Sequence, residues 1–163
     1  MSTRGPGEMD RIEFIRDTTV GSADARVRIL INGVGLEALA RKVELPFAVR
    51  DGTPKLAGKY VGLRLTDLAP PSRILFGDAG GGPFSYGSET QVLGCDCEEP
   101  GCWPLVCRIL ARETTVEWSD FRQPHRSGGK STAAWSHAGL GPFRFDRRLY
   151  EVAINDLADW GSG

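Results

Sequence analysis

Apolar and polar positions in the first half of the chain follow the period of β-strands and then change to the period of a helix. Residues 11–17, RIEFIRD, alternate Ile12 and Phe14 with charged neighbours, which is typical of a half-buried strand. The segment ARVRILINGVGL carries Asn32-Gly33 and predicts a hairpin, because both central positions of a type I′ turn need a positive φ. Apolar residues then recur every three or four positions in LEALARKVE and predict a short amphipathic helix.

The second half of the chain is richer in strand patterns. Apolar runs bounded by turn residues predict strands in YVGLRLTDL, SRILFGD, TQVLGCDC, WPLVCRILAR and TTVEWSDF. The segments AGGGPFSYGSE and QPHRSGGKSTAAWSHAGLG have no clear period and are predicted to be surface loops. The closing segment FDRRLYEVAINDLADW predicts a helix with Asp146 as its N-cap. The apolar face predicted for this helix comprises Leu149, Val152, Ala153, Leu157 and Trp160.

These patterns define an expected fold class. Strands outnumber helices, and no alternation of strand and helix indicates parallel βαβ units. We therefore expect an α+β fold with a mainly antiparallel sheet, a short helix in the N-terminal half and a C-terminal helix. A chain of 163 residues is long enough for one domain with its own core. Residues 1–10 have two glycines, a proline and no periodicity, so we expect a disordered tail followed by a single domain over 11–160.

Composition and charge narrow the classes of function. Hydrophobic residues make up 40% of the chain and charged residues 25%, as in ordinary globular proteins. A net charge of −1 gives no global attraction to nucleic acid or to anionic membranes, so a protein or small-molecule partner is expected instead. No apolar run approaches the roughly 20 residues of a membrane helix, and the N-terminal residues lack the apolar stretch of a secretory signal. We therefore expect a cytoplasmic location.

All four cysteines lie within residues 94–107, GCDCEEPGCWPLVC. In a reducing compartment, clustered cysteines are more often metal ligands or catalysts than disulfides. Residues 99–102 fit a type II turn, which would fold Cys102 back toward Cys95 and Cys97. Converging thiolates repel one another unless a cation holds them, so the pattern favours a zinc site. Core thiols, a disulfide and thiol catalysis stay open as alternatives, since C-x-C-x4-C is not the spacing of common zinc ribbons.

A fourth ligand has to come from elsewhere in the chain, which contains only two histidines. We predict His125, because Pro124 restricts the backbone before it and its strand should run antiparallel beside the one that follows Cys102. His137 follows the Gly-rich segment SGGKSTAA and is the weaker candidate. Cys107 shares a predicted strand face with apolar residues, so we interpret it as a small buried hydrophobic side chain.

Three segments, LGCDCEEPGCWPL, VEWSDFRQPHR and LGPFRFDRRLYEVAINDL, resemble a family of small uncharacterised bacterial and plant proteins. With ELPFA, LAGKYVGL and PPSRILFG, the resemblance covers about residues 28–158. The positions that match the family pattern are Cys95, Cys97, Cys102, Trp103, Trp118, Asp120, His125 and Arg126. Glu99-Pro100 departs from that pattern, and SGGKSTAA looks like an insertion. The resemblance directs attention to the cysteine turn and to residues 123–126, and it implies no mechanism.

Two classes of function are consistent with these residues. In the first, zinc held by Cys95, Cys97, Cys102 and His125 stabilises a binding or interaction module. In the second, the protein is a metal- or thiol-dependent enzyme, with Cys102 or a metal-bound water as nucleophile. His125 would then be the general acid/base, oriented by Asp120. A saturated four-ligand site favours the first class, because catalytic zinc keeps one coordination position open.

Overall fold

The computed structural model describes residues 9–17, 26–68, 70–78, 85–86, 88–95, 103–126 and 134–159. These residues form an antiparallel sheet that curves into a nearly closed barrel, together with three α-helices. The strands are β1 Ile12–Asp17, β2 Arg26–Ile31, β3 Val34–Gly35, β4 Val61–Arg64, β5 Ser85–Tyr86, β6 Glu89–Gly94, β7 Leu105–Ala111, β8 Thr115–Arg122 and β9 Phe143–Asp146. The helices are α1 Leu36–Arg50, α2 Pro71–Ile74 and α3 Arg147–Asp159. None of the described helices is long and apolar enough to cross a membrane.

The described strands pair in the order β1-β2-β4-β6-β7-β8-β9, with β3 beside β2 and β5 beside β6. The two ends of this order meet at Asp10, which pairs with Phe145 of β9. The Asp10 amide donates to the Arg144 carbonyl at 2.7 Å. Its carboxylate accepts from the Arg144 amide and from the Asn32 side chain, each at 2.9 Å. Asp10 therefore joins the start of β1 to β9 and closes the barrel.

The predicted mainly antiparallel sheet is confirmed, and α-helices accompany it, but the sheet dominates the fold more than the predicted α+β class implied. Asn32 and Gly33 have φ values of 54° and 82° and join β2 to β3, as the type I′ prediction requires. The Asp146 carboxylate accepts a hydrogen bond from the Leu149 amide at 3.0 Å, which is the predicted N-cap of α3. Signals that act within a few residues were thus interpreted correctly.

The first helix is longer than predicted. The apolar period indicated a helix over residues 36–44, whereas α1 continues through Pro46 to Arg50. Its buried positions are spaced by four residues and include Ala48 in the last turn and the charged Glu44. Packing of Ala48 in the core outweighs the low helix propensity of proline, as tertiary contacts often do. The charged residue on this buried face is central to the candidate site.

Two other local predictions were wrong, and two strands were missed: β9, and β5, which lies in the segment AGGGPFSYGSE that was predicted to be a loop. The segment SRILFGD, predicted as a strand, contains the helical turn α2. A short apolar run does not distinguish the two structures, and Pro71 suits the first position of a helix. On α3, the exposed side chains include Leu149 and Val152, which had been placed on the apolar face. The missed strand β9 is too short to show a period of its own.

The hydrophobic core lies between the barrel and helices α1 and α3. Trp118, Tyr150 and Phe145 are its largest fully buried side chains. The Trp118 indole donates to the Tyr150 hydroxyl at 3.2 Å, and that hydroxyl donates to the Leu75 carbonyl, which ties α3 to the end of α2. Cys107 is fully buried in the same core, so its interpretation as a small hydrophobic side chain is confirmed.

Candidate functional site

The cysteine segment forms the loop of the hairpin between β6 and β7. The last pair of this ladder joins Leu93 to Leu105, so the two strands that the cysteine segment connects are antiparallel neighbours. Cys95 is half-buried directly after β6, whereas Cys97 and Cys102 lie outside the described residues. No three acidic, cysteine or histidine side chains of the described part are grouped to hold a metal ion. Two of the four predicted ligands are not in that part, so the zinc site stays a prediction.

His125 lies beside the end of this loop. The far end of β8 returns to the start of β7, as predicted, because Arg122 pairs with Val106. The exposed His125 imidazole stacks on Trp103, with ring centroids 6.1 Å apart and ring planes 11° from parallel. Since Trp103 directly follows Cys102 in the chain, this stack brings an imidazole next to the neighbour of a predicted ligand.

Arg126 and two tryptophans extend this stack into an aromatic platform, defined as Trp103, His125, Arg126 and Trp135. The guanidinium carbon of Arg126 lies 5.1 Å from the Trp103 ring centre and 5.7 Å from that of Trp135. The two indoles meet edge to face at 6.0 Å. The Trp135 amide donates to the Arg126 carbonyl at 2.8 Å, and its indole donates to Asp51 at 2.8 Å. These contacts fix both ends of the Gly-rich segment between Arg126 and Trp135.

A buried polar network centred on Glu44 is joined to the platform, and the sequence analysis missed it. The Glu44 side chain is fully buried, and its Oε2 lies 2.7 Å from Nε2 of His137, whose side chain is 1% exposed. The same oxygen accepts from the Tyr60 hydroxyl at 2.5 Å, while Oε1 accepts from the Gly58 amide at 2.8 Å. Burial and the neighbouring Glu44 raise the pKa of Tyr60, so its hydroxyl keeps the proton that it donates. Three donors therefore satisfy one buried carboxylate.

Gln123 connects this network to the platform. Its side-chain amide donates to the Tyr60 oxygen at 3.4 Å, and its carbonyl oxygen accepts from the His125 amide at 2.9 Å. The segment around His137 had been predicted to be a surface loop, and this was wrong for Trp135 and His137, which are buried. The partner of His137 lies 93 residues away in α1, and no local pattern indicates such a pair. The one signal of this pair in the sequence was Glu44 itself, a charged residue four positions after Ala40 on the buried face of α1.

The Glu44 contact orients the His137 ring. With Glu44 as a carboxylate, which only accepts hydrogen bonds, Nε2 of His137 is the donor in this pair. Nδ1 of His137 is buried and has no hydrogen-bond partner among the described residues. This nitrogen is left as a potential acceptor, on an imidazole whose orientation the protein determines.

A cavity of about 640 Å³ adjoins His137 and the outer face of β7 and β8. Its lining includes Asp120, Arg108 and Arg122, and the guanidinium of Arg122 contacts Glu89 at 2.7 and 2.9 Å. Asp120 has a φ of 54° and occupies a bulge, where β8 contains one more residue than the facing part of β7. No hydrogen bond joins Asp120 to His125 in the described structure. The predicted orienting residue therefore shares a cavity with His137 instead.

No family model matches the chain, and no curated protein or solved structure is detectably similar to it. The resemblance based on the cysteine turn and the WSDF segment stays a prediction. Three features of the molecule bear on its function: the cysteine segment between β6 and β7, the aromatic platform at Trp103, and the buried Glu44–His137 pair.

Proposed function

We propose that this chain is a zinc-binding protein that acts as a binding module, with Cys95, Cys97, Cys102 and His125 as the metal ligands. The supporting observation is the stack of His125 on Trp103, the residue that follows Cys102. His125 therefore lies at the end of the β6–β7 pair where the cysteine segment leaves β6 and rejoins β7.

The donor set suits zinc in a structural role. Three thiolates and one neutral imidazole complete a tetrahedral site, and the imidazole adds no further negative charge. Both ring nitrogens of His125 lie in the ring plane, so the stack on Trp103 covers the face of the ring and not its edge. Bound zinc would contribute folding free energy by closing the cysteine loop.

The aromatic platform is the surface that we assign to the partner. Tyrosine, tryptophan and arginine side chains are enriched where proteins bind partners, and here the exposed His125 imidazole and the Arg126 guanidinium lie on Trp103, with the buried Trp135 packed against Arg126. The partner would be a protein or a small molecule. With a net charge of −1, nucleic acid and anionic membranes are not the expected partners. We place this function in the cytoplasm, where the thiols stay reduced.

Zinc analysis of the purified protein tests this proposal. We expect about one zinc per chain in protein prepared under reducing conditions. Cys102→Ser and His125→Phe should both lower the zinc content and the melting temperature. His125→Phe keeps a ring on Trp103 and removes the nitrogens, so it separates ligation from packing. Cys107→Ala is the matched thiol control and should keep its zinc. Full zinc content in both ligand variants would reject the site.

Thiol counting tests the competing disulfide interpretation. Alkylation of the denatured protein without reductant should modify all four cysteines, which intact-mass measurement resolves. Two modified cysteines would instead show a disulfide and exclude three thiolate ligands.

A second candidate is an enzyme, and the cavity containing Asp120 and His137 is the observation that favours it. The sequence had indicated Cys102, His125 and Asp120 for this role. In the structure, His137 has the fixed imidazole and a nitrogen without a partner among the described residues. Hydrolysis of p-nitrophenyl acetate by each variant tests this candidate. Loss of hydrolysis in Asp120→Asn, with hydrolysis kept in Cys102→Ser, would favour an enzyme that uses the cavity over the zinc module. The reverse pattern would favour the thiol.

A further inference from the structure

Helix α3 has two apolar faces, and only one of them is covered. Tyr150, Ile154 and Leu157 are buried against the barrel. Leu149 and Val152 are 69% and 57% exposed, the two most exposed large apolar side chains on this helix. Residues three apart lie next to each other on a helix, so these two form one patch on the outer face. A groove lined by this patch, Arg148 and Asn155 runs along the same face.

Two opposite charges lie on either side of Val152, each four residues away from it along the helix. Arg148 precedes Val152 by four residues and Asp156 follows it by four, so the three lie along one line of the helix. Both charged side chains are exposed, and neither forms an ion pair with a described residue. In contrast, Arg147 pairs with Glu151 within the helix at 2.8 Å. The outer face thus presents a positive end, an apolar centre and a negative end.

We propose that α3 binds α3 of a second copy of this chain, in an antiparallel pair about a twofold axis at Val152. The axis places Arg148 of each copy opposite Asp156 of the other, because the two residues are equidistant from Val152. One contact therefore forms twice, which is the self-complementarity that a twofold interface requires. Leu149 of each copy packs beside the central pair of Val152 side chains. Charge complementarity favours this occupant over an unrelated apolar segment, which would leave both charges without partners.

The interface is small, so the dimer is a weak one. A helix of 13 residues is about 20 Å long, and a single helix pair buries less than the roughly 1,200 Å² of typical stable interfaces. The dimer should accordingly form only at high protein concentration and weaken with added salt. This inference does not depend on the zinc site or on the aromatic platform, because none of their residues belongs to α3.

Sedimentation velocity across a concentration series tests the proposal on the full chain. The sedimentation coefficient of the unaltered protein should rise with concentration, and Val152→Glu should abolish the rise. Arg148→Glu and Asp156→Arg should each weaken association about fivefold or more, because each change affects two symmetric ion pairs. The double charge exchange Arg148→Glu/Asp156→Arg should restore association. Arg144→Glu is an exposed charge control away from this face and should have no effect.

Two results would overturn the dimer. The first is a sedimentation coefficient that does not change with concentration up to about 1 mM, the range of weak complexes. The second is a double exchange that associates no better than the single variants, which would show that another surface causes the association. Thermal unfolding of each variant verifies that the fold is kept, so loss of association cannot be attributed to unfolding.

Discussion

At the residue scale, the Glu44–His137 pair carries a large desolvation cost, because both polar side chains are buried. Both side chains are withdrawn from water, and removing one partner of a buried pair leaves an uncompensated group. Such pairs are poor sources of stability compared with apolar side chains of the same volume. The presence of this pair in the core of a 163-residue chain favours a role in positioning, here of Tyr60, Gln123 and the segment that carries His125.

His137→Asn should therefore destabilise the protein by about 2 kcal/mol, because the buried Glu44 side chain loses a hydrogen-bond donor in the core. The sequence had indicated His137 only as the weaker ligand candidate, whereas its burial beside Glu44 gives it a structural role. Urea unfolding with a chelator present measures the effect without any zinc contribution. His125→Phe is the control and should change the free energy of unfolding little under these conditions. Glu44→Gln should lower the free energy of unfolding much less in the His137→Asn variant than in the unaltered protein.

Raised pKa values at three buried groups predict loss of stability in alkali. Burial raises the pKa of Cys107 above its ordinary 9.0, and the pKa of Tyr60 and Tyr150 above 10.0. In the unfolded chain these groups lose protons near their ordinary values, while the folded protein keeps them. Stability should be complete below about pH 9 and fall as the pH rises further. Urea midpoints between pH 7 and 11 measure this, and Cys107→Ala should remove the earliest part of the decline. Urea midpoints that do not change between pH 7 and 11 would contradict this prediction.

At the scale of single elements, β4 depends on one glycine. This strand pairs with β2 on one side and β6 on the other, through only two residue pairs on each side. A Cβ at Gly62 would lie 2.3 Å from the carbonyl oxygen of Val27, which is backbone and cannot rotate away. The Gly62 carbonyl also accepts a hydrogen bond from Arg26 at 2.9 Å. The absence of a side chain therefore allows β2 and β4 to approach closely.

Gly62→Ala should cost about 3 kcal/mol, since the added methyl group forces the two strands apart. Gly139→Ala is a matched control, because the nearest atom to its Cβ would be Val43 Cγ2 at an ordinary 3.8 Å. That control should change stability by no more than about 0.5 kcal/mol. Thermal and urea unfolding of both variants measure the difference, and equal stabilities would contradict the close-approach argument.

Among the single elements and their contacts, some were predictable from the sequence and others were not. The Asn32-Gly33 turn and the Asp146 cap were predictable, because the conformation or hydrogen bond that they need lies within three residues. On α3, apolar residues occupy two faces, and period alone does not tell which face the barrel covers. The pairing of Glu44 with His137 was unpredictable, because it depends on two segments meeting across the whole fold. For the cysteine loop, sequence predicted the location at a hairpin tip, and the ligand set stays a prediction.

At the scale of the whole molecule, closure of the barrel depends on Asp10. Its carboxylate accepts hydrogen bonds from Arg144 and Asn32, so it joins three parts of the chain. Asp10→Ala should destabilise the protein by about 2 kcal/mol, because two donors lose their partner at a largely buried position. Hydrogen exchange should become faster at Arg144. Glu13→Ala, an exposed change on β1, is the control. Unchanged exchange in Asp10→Ala would show that β9 is held without this closure.

The bridge between Asp10 and Phe145 also sets the order of events during synthesis on the ribosome. The residue that completes the barrel precedes its partner in the chain by 135 positions (145 minus 10), so it is translated well before that partner. At about 5–20 residues per second, the nascent chain waits on the order of ten seconds for Phe145 to appear. During that interval β1 and β2 can pair with each other, but the edge that β9 later helps to close stays open to other chains. Slow codons before Phe145 would lengthen this exposure, whereas the same delay after it would not.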